Sequence, residues 1–236
     1  MTGEEVVQHV RGFETDVGIP FNDPNLLAQA FTHRSFINEN REVAIEHNER
    51  LEFLGDAVIE LVATDHLFHQ YPDKPEGQLT SFRSALVNTS MLSSVADSVG
   101  MNEYLLLSKG EAKDTGRARQ YILANTFEAF VGALYLDQGY ERTRQFLGQT
   151  LLPRVQDIMN KRLWQDPKSR FQELAQDAVS TTPLYQTIEE SGPDHDKQFV
   201  VGVYLDEELV ARGQGRSKQE AEQDAASQAI AAKGWD

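Results

Sequence analysis

Through residues 1–160, apolar positions recur at three- and four-residue spacing, which predicts helix after helix. Phe21-Asn22-Asp23-Pro24 supplies an N-cap and an early proline for a helix through Leu26, Leu27, Ala30 and Phe31. Another helix runs from about Asn48 to Phe68 and stops before Tyr71-Pro72-Asp73-Lys74-Pro75, whose prolines cannot continue it. Thr80 to Asn88 and Thr89 to Val99 follow, the latter closed by Gly100. Leu105 to Gly116 reads as a loop rich in Gly, Lys and Asp. Tyr121 to Leu136 is a strongly apolar helix, and Glu141 to Met159 is amphipathic with an irregularity at Pro153. No stretch here sustains period-two alternation, so residues 1–160 are predicted to form an all-α domain.

The pattern changes after Asn160. Residues 161–166 read as a linker, and residues 167–236 as a second domain. Ser169 to Ala178 is a short helix, followed by strands at Leu184 to Glu190, Gln198 to Leu205 and Glu208 to Gly213. Phe199, Val201, Val203 and Leu205 alternate with Val200, Gly202 and Tyr204, the period of a half-buried strand. Gly192-Pro193-Asp194-His195 is turn chemistry, and Gly213-Gln214-Gly215 reads as a glycine-rich turn. Ser217 to Ala232 is an Ala-rich helix with Ser217 as N-cap. The order αβββα predicts an α+β domain with both helices on one face of a small antiparallel sheet.

Composition narrows the classes. No run approaches the roughly 18 apolar residues of a membrane helix, so no membrane partner is expected. The N-terminus lacks the basic and apolar regions of a secretory signal, and the absence of cysteine excludes disulfides and thiolate metal sites. Both fit a cytoplasmic protein. The net charge of −15 opposes a polyanionic partner, and residues 1–160 (13 Lys+Arg, 23 Asp+Glu) and 161–236 (9 and 14) are both acidic. Nucleic-acid binding would have to rest on a few locally placed cations.

Two helices carry acidic side chains among apolar ones. In Asn48 to Val58, Glu49, Glu52 and Asp56 share one helical face, and in Ile122 to Phe130 Asn125 and Glu128 do the same. An acidic stripe is ordinarily a solvated face. Here Leu51, Phe53, Leu54, Val58, Ile59, Leu61 and Val62 surround the helix, leaving little outward beyond the stripe. Glu60 falls on the same sector, so periodicity does not separate ligand from bystander. Pooled, Glu52, Asp56, Glu128 and the Asn125 amide oxygen form a hard-oxygen set suited to Mg²⁺, with Mn²⁺ as a substitute, and to phosphoryl chemistry. A carboxylic acid and base pair for glycoside hydrolysis stays open but uses fewer of these groups.

Asn48 to Val58, with the specific block Glu49 to Ala57, resembles the signature of the ribonuclease III family of magnesium-dependent endonucleases that cut double-stranded RNA. Phe31-Thr32-His33-Arg34-Ser35, Glu76-Gly77-Gln78-Leu79 with Arg83, Leu86-Val87-Asn88, Ser108-Lys109-Gly110-Glu111 and Ile122 to Asp137 agree in order and spacing. The resemblance implies that Glu52, Asp56 and Glu128 bind metal, with Asp56 and Glu128 catalytic and Glu49 and Glu76 supporting the cleavage site. It also implies products with 5′-phosphate and 3′-hydroxyl ends, from ribosomal RNA precursors and other structured transcripts. Phe53 would help build a homodimer with one site per subunit. The family usually has Asp where this chain has Asn125, which predicts weakened metal affinity. The alternative is a binding protein that has lost cleavage through that change, and a nuclease for DNA or small nucleotides is disfavoured by the second domain.

That second domain resembles a double-stranded RNA-binding domain. Arg212, Arg216 and Lys218 lead into the last helix, whose free N–H groups can meet phosphate. The resemblance implies minor-groove contacts from Ser169, Gln172 and Glu173, a second set from the loop ending at His195, and phosphate contacts from Ser217 and Lys218. Where this chain has Gln219 the family often has a second lysine.

Overall fold

The computed structural model describes residues 1–160, 162, 164–193 and 197–235. The chain divides into two compact units, Met1–Trp164 and Gln165–Asp236, a division that falls inside the 161–166 segment.

The first unit is helical. It comprises α1 (Gly3–Val17), α2 (Pro24–Phe31), α3 (Arg34–Glu39), α4 (Glu49–Gln70), α5 (Glu76–Leu86), α6 (Thr89–Ser98), α7 (Arg117–Thr150) and α8 (Arg154–Asn160). Helix α1 adds to the pattern-based elements. A Thr2/Glu5 capping box starts it, and Val6, Val10 and Phe13 bury its apolar stripe. Helix α5 starts at Glu76, earlier than the expected Thr80, because Pro75 already holds the extended backbone that precedes a first turn. The expected break between two late helices is a single non-helical residue, Gly139, at φ 77° and ψ −179°, a conformation open essentially to glycine. Helix α7 then continues to Thr150, and Pro153 stands between it and α8.

The core of this unit is α4 packed against α7, with Phe13, Phe31, Phe127 and Phe130 filling the space beside them. Two staples fix the surrounding loops. The Asp137 carboxylate accepts the backbone N–H groups of Asn22 (2.8 Å) and Asp23 (2.8 Å) ahead of α2. The Arg119 guanidinium donates to the carbonyl oxygens of Glu111, Ala112 and Asp114, pinning the 105–116 loop onto α7.

The second unit has α9 (Pro167–Val179), β1 (Leu184–Ser191), β2 (Gln198–Leu205), β3 (Glu208–Gly215) and α10 (Lys218–Lys233). The strands form one antiparallel sheet in the order β1-β2-β3. Phe171 and Ala175 of α9 and Ala225, Ala226 and Ala229 of α10 meet Val203 and Leu205 in its core. Gly213 and Gly215 are not a turn; they complete β3. A Cβ on Gly213 would lie 2.0 Å from the Ala225 nitrogen, and one on Gly215 would lie 2.6 Å from the Ala221 nitrogen. The glycines let strand and helix touch backbone to backbone. No described helix is long and apolar enough to cross a membrane.

Candidate active site

The acidic helices meet through glycine. A Cβ on Gly55 of α4 would lie 1.8 Å from the Glu128 carbonyl oxygen, and one on Gly132 of α7 would lie 2.2 Å from the Leu51 carbonyl oxygen. Only hydrogen atoms fit there, so the backbones themselves are in contact. Glu128 is thereby set opposite the turn that carries Glu52 and Asp56. The start of α4 is anchored by Asn48, only 2% exposed, whose Nδ2 donates to the Ala30 carbonyl (3.1 Å) and whose N–H donates to the Thr32 carbonyl (3.0 Å).

Electrostatics report the same convergence. Glu128 is largely buried, and burial, then Asp56, then Glu52, push its carboxyl up to about 8. Burial and the Glu49 charge raise the Glu52 carboxyl, a hydrogen bond from the Asn125 amide opposes the rise, and Asp56 adds to it. Glu52, Asp56, Asn125 and Glu128 therefore stand together. Among the described residues no three His, Asp or Glu side chains close into a cation cage, so the arrangement is open. An all-oxygen set in which a buried carboxyl is disfavoured by its charged neighbours fits a hard divalent cation, which would relieve that repulsion.

The remaining acidic residues separate. Glu49 sits at the edge, 3.3 Å from Arg34 and 3.8 Å from His47. Glu60 is exposed and does not act on either perturbed carboxyl. Glu76 lies on α5, where it accepts the Thr80 hydroxyl (3.0 Å), and it too does not act on them. The expectation that apolar residues enclose α4 is corrected: Phe53 is 83% exposed, and Leu61 and Phe68 also face outward. They form an apolar strip beside the acidic one, because the helix packs on one side only.

In the second unit Ser169, Gln172 and Glu173 are exposed on one face of α9. Ser217 caps α10 by accepting the Glu220 N–H (3.1 Å), and the Arg216 N–H donates to the Glu220 carboxylate (3.0 Å). Lys218 is exposed, with its ammonium 5.8 Å from the Phe199 ring centroid. His195 lies outside the described residues. Sequence reasoning passed over Gly55, Gly132 and Asn48. The available signal was a glycine inside an otherwise helical pattern, which often marks close packing.

Paired acidic helices in an all-α unit, followed by an αβββα unit, define a two-domain endonuclease directed at RNA. Residues 23–155 match the family described as Ribonuclease-III-like, and residues 167–232 match the double-stranded RNA binding motif. Ribonuclease 3 of Protochlamydia amoebophila is 44% identical over 227 residues, spanning 96% of this chain and 93% of that protein. Ribonuclease 3 of Geobacillus thermodenitrificans is 48% identical over 214 residues, spanning 91% and 87%. A solved structure of the nuclease domain of ribonuclease III from Campylobacter jejuni, whose subject is flexibility in a region involved in dimer formation, is 36% identical. It covers 59% of this chain and 94% of that one, with a TM-score of 0.54. The chain belongs to the ribonuclease III family and is an endoribonuclease for double-stranded RNA. Membership in a family of cutting enzymes does not favour the binding-only alternative.

Proposed function

We infer that the chain cleaves duplex RNA with Mg²⁺, or Mn²⁺ in its place, held by Glu52, Asp56, Asn125 and Glu128. The observation that carries this reading is the buried Glu128 carboxyl, pushed up to about 8 beside Asp56 and Glu52 on two helices in backbone contact. When bound, the cation supplies Lewis acidity to the phosphodiester and acidifies a water molecule. The residues' own part is positional. Two helices that touch through glycine hold four oxygen-bearing side chains in one half-shielded place, with Asp56 and Glu128 closest to the reacting phosphate. Glu49, bonded by Arg34, borders that place, and Glu76 supports it from elsewhere on the duplex path. Products carry 5′-phosphate and 3′-hydroxyl ends, and ribosomal RNA precursors and other structured transcripts are the substrates. A cytoplasmic location belongs to the same reading.

Residues 1–160 are the nuclease domain and residues 167–236 the RNA-binding domain. Docking uses Ser169, Gln172 and Glu173 on α9, the loop to His195, and Arg216, Ser217 and Lys218 at α10. The working form is a homodimer. Phe53 stands exposed at the wall of a recess of about 650 Å³, where Leu26, Leu54 and Leu136 lie among Gln29, Glu46 and Arg50, so an aromatic ring and a recess of mixed character share one surface. A self-complementary patch of that kind suits a two-fold contact.

The test is a labelled duplex incubated with the protein in Mg²⁺, Mn²⁺ or chelator, alongside Glu128→Gln. Cutting should need the cation, and Glu128→Gln should bind the duplex while losing at least about 100-fold in rate. Undiminished cutting in chelator, or a wild-type rate from the variant, overturns the site.

A further inference from the structure

Helices α9 and α10 leave a cavity of about 510 Å³ between their N-terminal turns and the start of β1. Its walls carry Lys168, Ser169 and Gln172 from α9, Tyr185 from β1, and Gln219 and Glu222 from α10. Three of these side chains are engaged with one another. The Lys168 ammonium pairs with the Glu222 carboxylate and lies 4.9 Å from the centroid of the Tyr185 ring. The Tyr185 hydroxyl is buried and, among the described residues, has no hydrogen-bond partner. A buried donor left unsatisfied is unfavourable, and most such groups find an acceptor.

An acceptor is close by. Burial and the negative charges of Glu222 and Asp166 push the Tyr185 phenol up, so it stays a donor within reach of the Glu222 field. The Lys168 ammonium bonds Oε2 of the Glu222 carboxylate, and the Tyr185 hydroxyl makes no bond to it. The cavity also lies between two sets of exposed residues. Ser169 and Gln172 line one side, and Gln219, the neighbour of Lys218, lines the other. An RNA backbone that engages both sets passes across the opening.

We propose that Lys168 is a phosphate-binding residue for the RNA duplex, held by Glu222 in the free protein and transferred to the backbone on docking, whereupon Glu222 accepts the Tyr185 hydroxyl. The inference rests on the reading of α9 and α10 as docking elements. In the free state one hydroxyl is unpaired. In the bound state ammonium meets phosphate and hydroxyl meets carboxylate, so every group in the cluster is satisfied. The exchange adds one cation to an interface on a domain whose acidic groups outnumber its basic ones. Lys168 is one-third exposed, which leaves its head free to swing out while the stem stays packed.

The experiment is equilibrium binding of the full-length protein to a duplex in chelator, over a salt series, with thermal midpoints measured in parallel. Lys168→Met should weaken binding about five- to tenfold and lower the slope of log affinity against log salt by about one unit or less. Lys168→Met combined with Glu222→Gln, which leaves no partly buried carboxylate unpaired, should show the same slope loss relative to Glu222→Gln alone. Tyr185→Phe should weaken binding about two- to fivefold and leave the midpoint of the free protein unchanged or higher. A purely structural hydroxyl would do the reverse, lowering the midpoint and sparing affinity, and that result overturns the exchange. Lys218→Ala is the reference for docking itself. If it loses affinity and slope while Lys168→Met keeps both, the inference fails and the docking reading stands. Indifference to both removes the docking reading as well.

Discussion

An amide at position 125 withholds the charge a carboxylate would carry, and it also donates a hydrogen bond to Glu52 that a carboxylate could not. Asn125→Asp should therefore lower the Mg²⁺ concentration for half-maximal cutting by about tenfold, on the order of 1.4 kcal/mol of added attraction. The same change should destabilise the metal-free fold, because a further carboxylate joins Glu52 and Asp56 beside the protonated Glu128. Unchanged metal dependence across a titration would remove the proposed role of Asn125. Glu128 gives a pH signature. In chelator its carboxyl keeps a proton in the fold up to about pH 8, whereas an ordinary carboxyl loses it near 4.5. Between those values the folded state binds more protons than the unfolded chain, so stability falls as the pH rises through the window. Thermal midpoints in chelator should decline more steeply for wild type than for Glu128→Gln over that range; parallel curves would contradict the assignment. The acidic residues were legible in the sequence because helical spacing alone puts them on one face. The separation of Glu60 and Glu76 from Glu52, Asp56 and Glu128, with Glu49 at the edge, was not, since periodicity carries no information about which helix lies opposite.

Helix boundaries at capping residues and prolines were read well, as at Asp23-Pro24 and Ser217. The strands were also legible, because alternation from Phe199 to Leu205 has a single period that leaves little choice of face. What the pattern could not show is distance between elements. Gly55 and Gly132 read as weak points in two helices, yet they bring the α4 and α7 backbones into contact. Gly55→Ala should force α4 and α7 apart, costing about 3 kcal/mol or more and abolishing cutting. Gly148, also in α7, has open space where a Cβ would go. Gly148→Ala should instead stabilise by about 0.5–1 kcal/mol through helix propensity and leave the rate alone. Denaturant midpoints of the two variants should move in opposite directions, and a shared direction would contradict the contact argument.

At the scale of the molecule, a net charge of −15 is carried by a protein that acts on a polyanion, so contact with RNA falls to a few exposed groups while the bulk of the surface repels it. Composition alone pointed away from that partner; the acidic signature of Asn48 to Val58 and the placement of Lys218 and its neighbours at a helix start brought it back. The proposed association between copies is a separate matter, argued from exposed apolar surface. Phe53→Asp, at a ring 83% exposed within one chain, should give a monomer by light scattering whose thermal midpoint no longer depends on protein concentration, and cutting should fall at least about tenfold while duplex binding persists. A dimer that survives the charge places the interface elsewhere. The glycine contact between the acidic helices sets a limit on how this enzyme can be retuned. Because peptide groups rather than side chains define the separation, no substitution at that junction can bring the helices closer, and any larger residue drives them apart. Spacing is not an adjustable quantity there. Charge is, and an uncharged residue at 125 is the kind of variation such a junction leaves open.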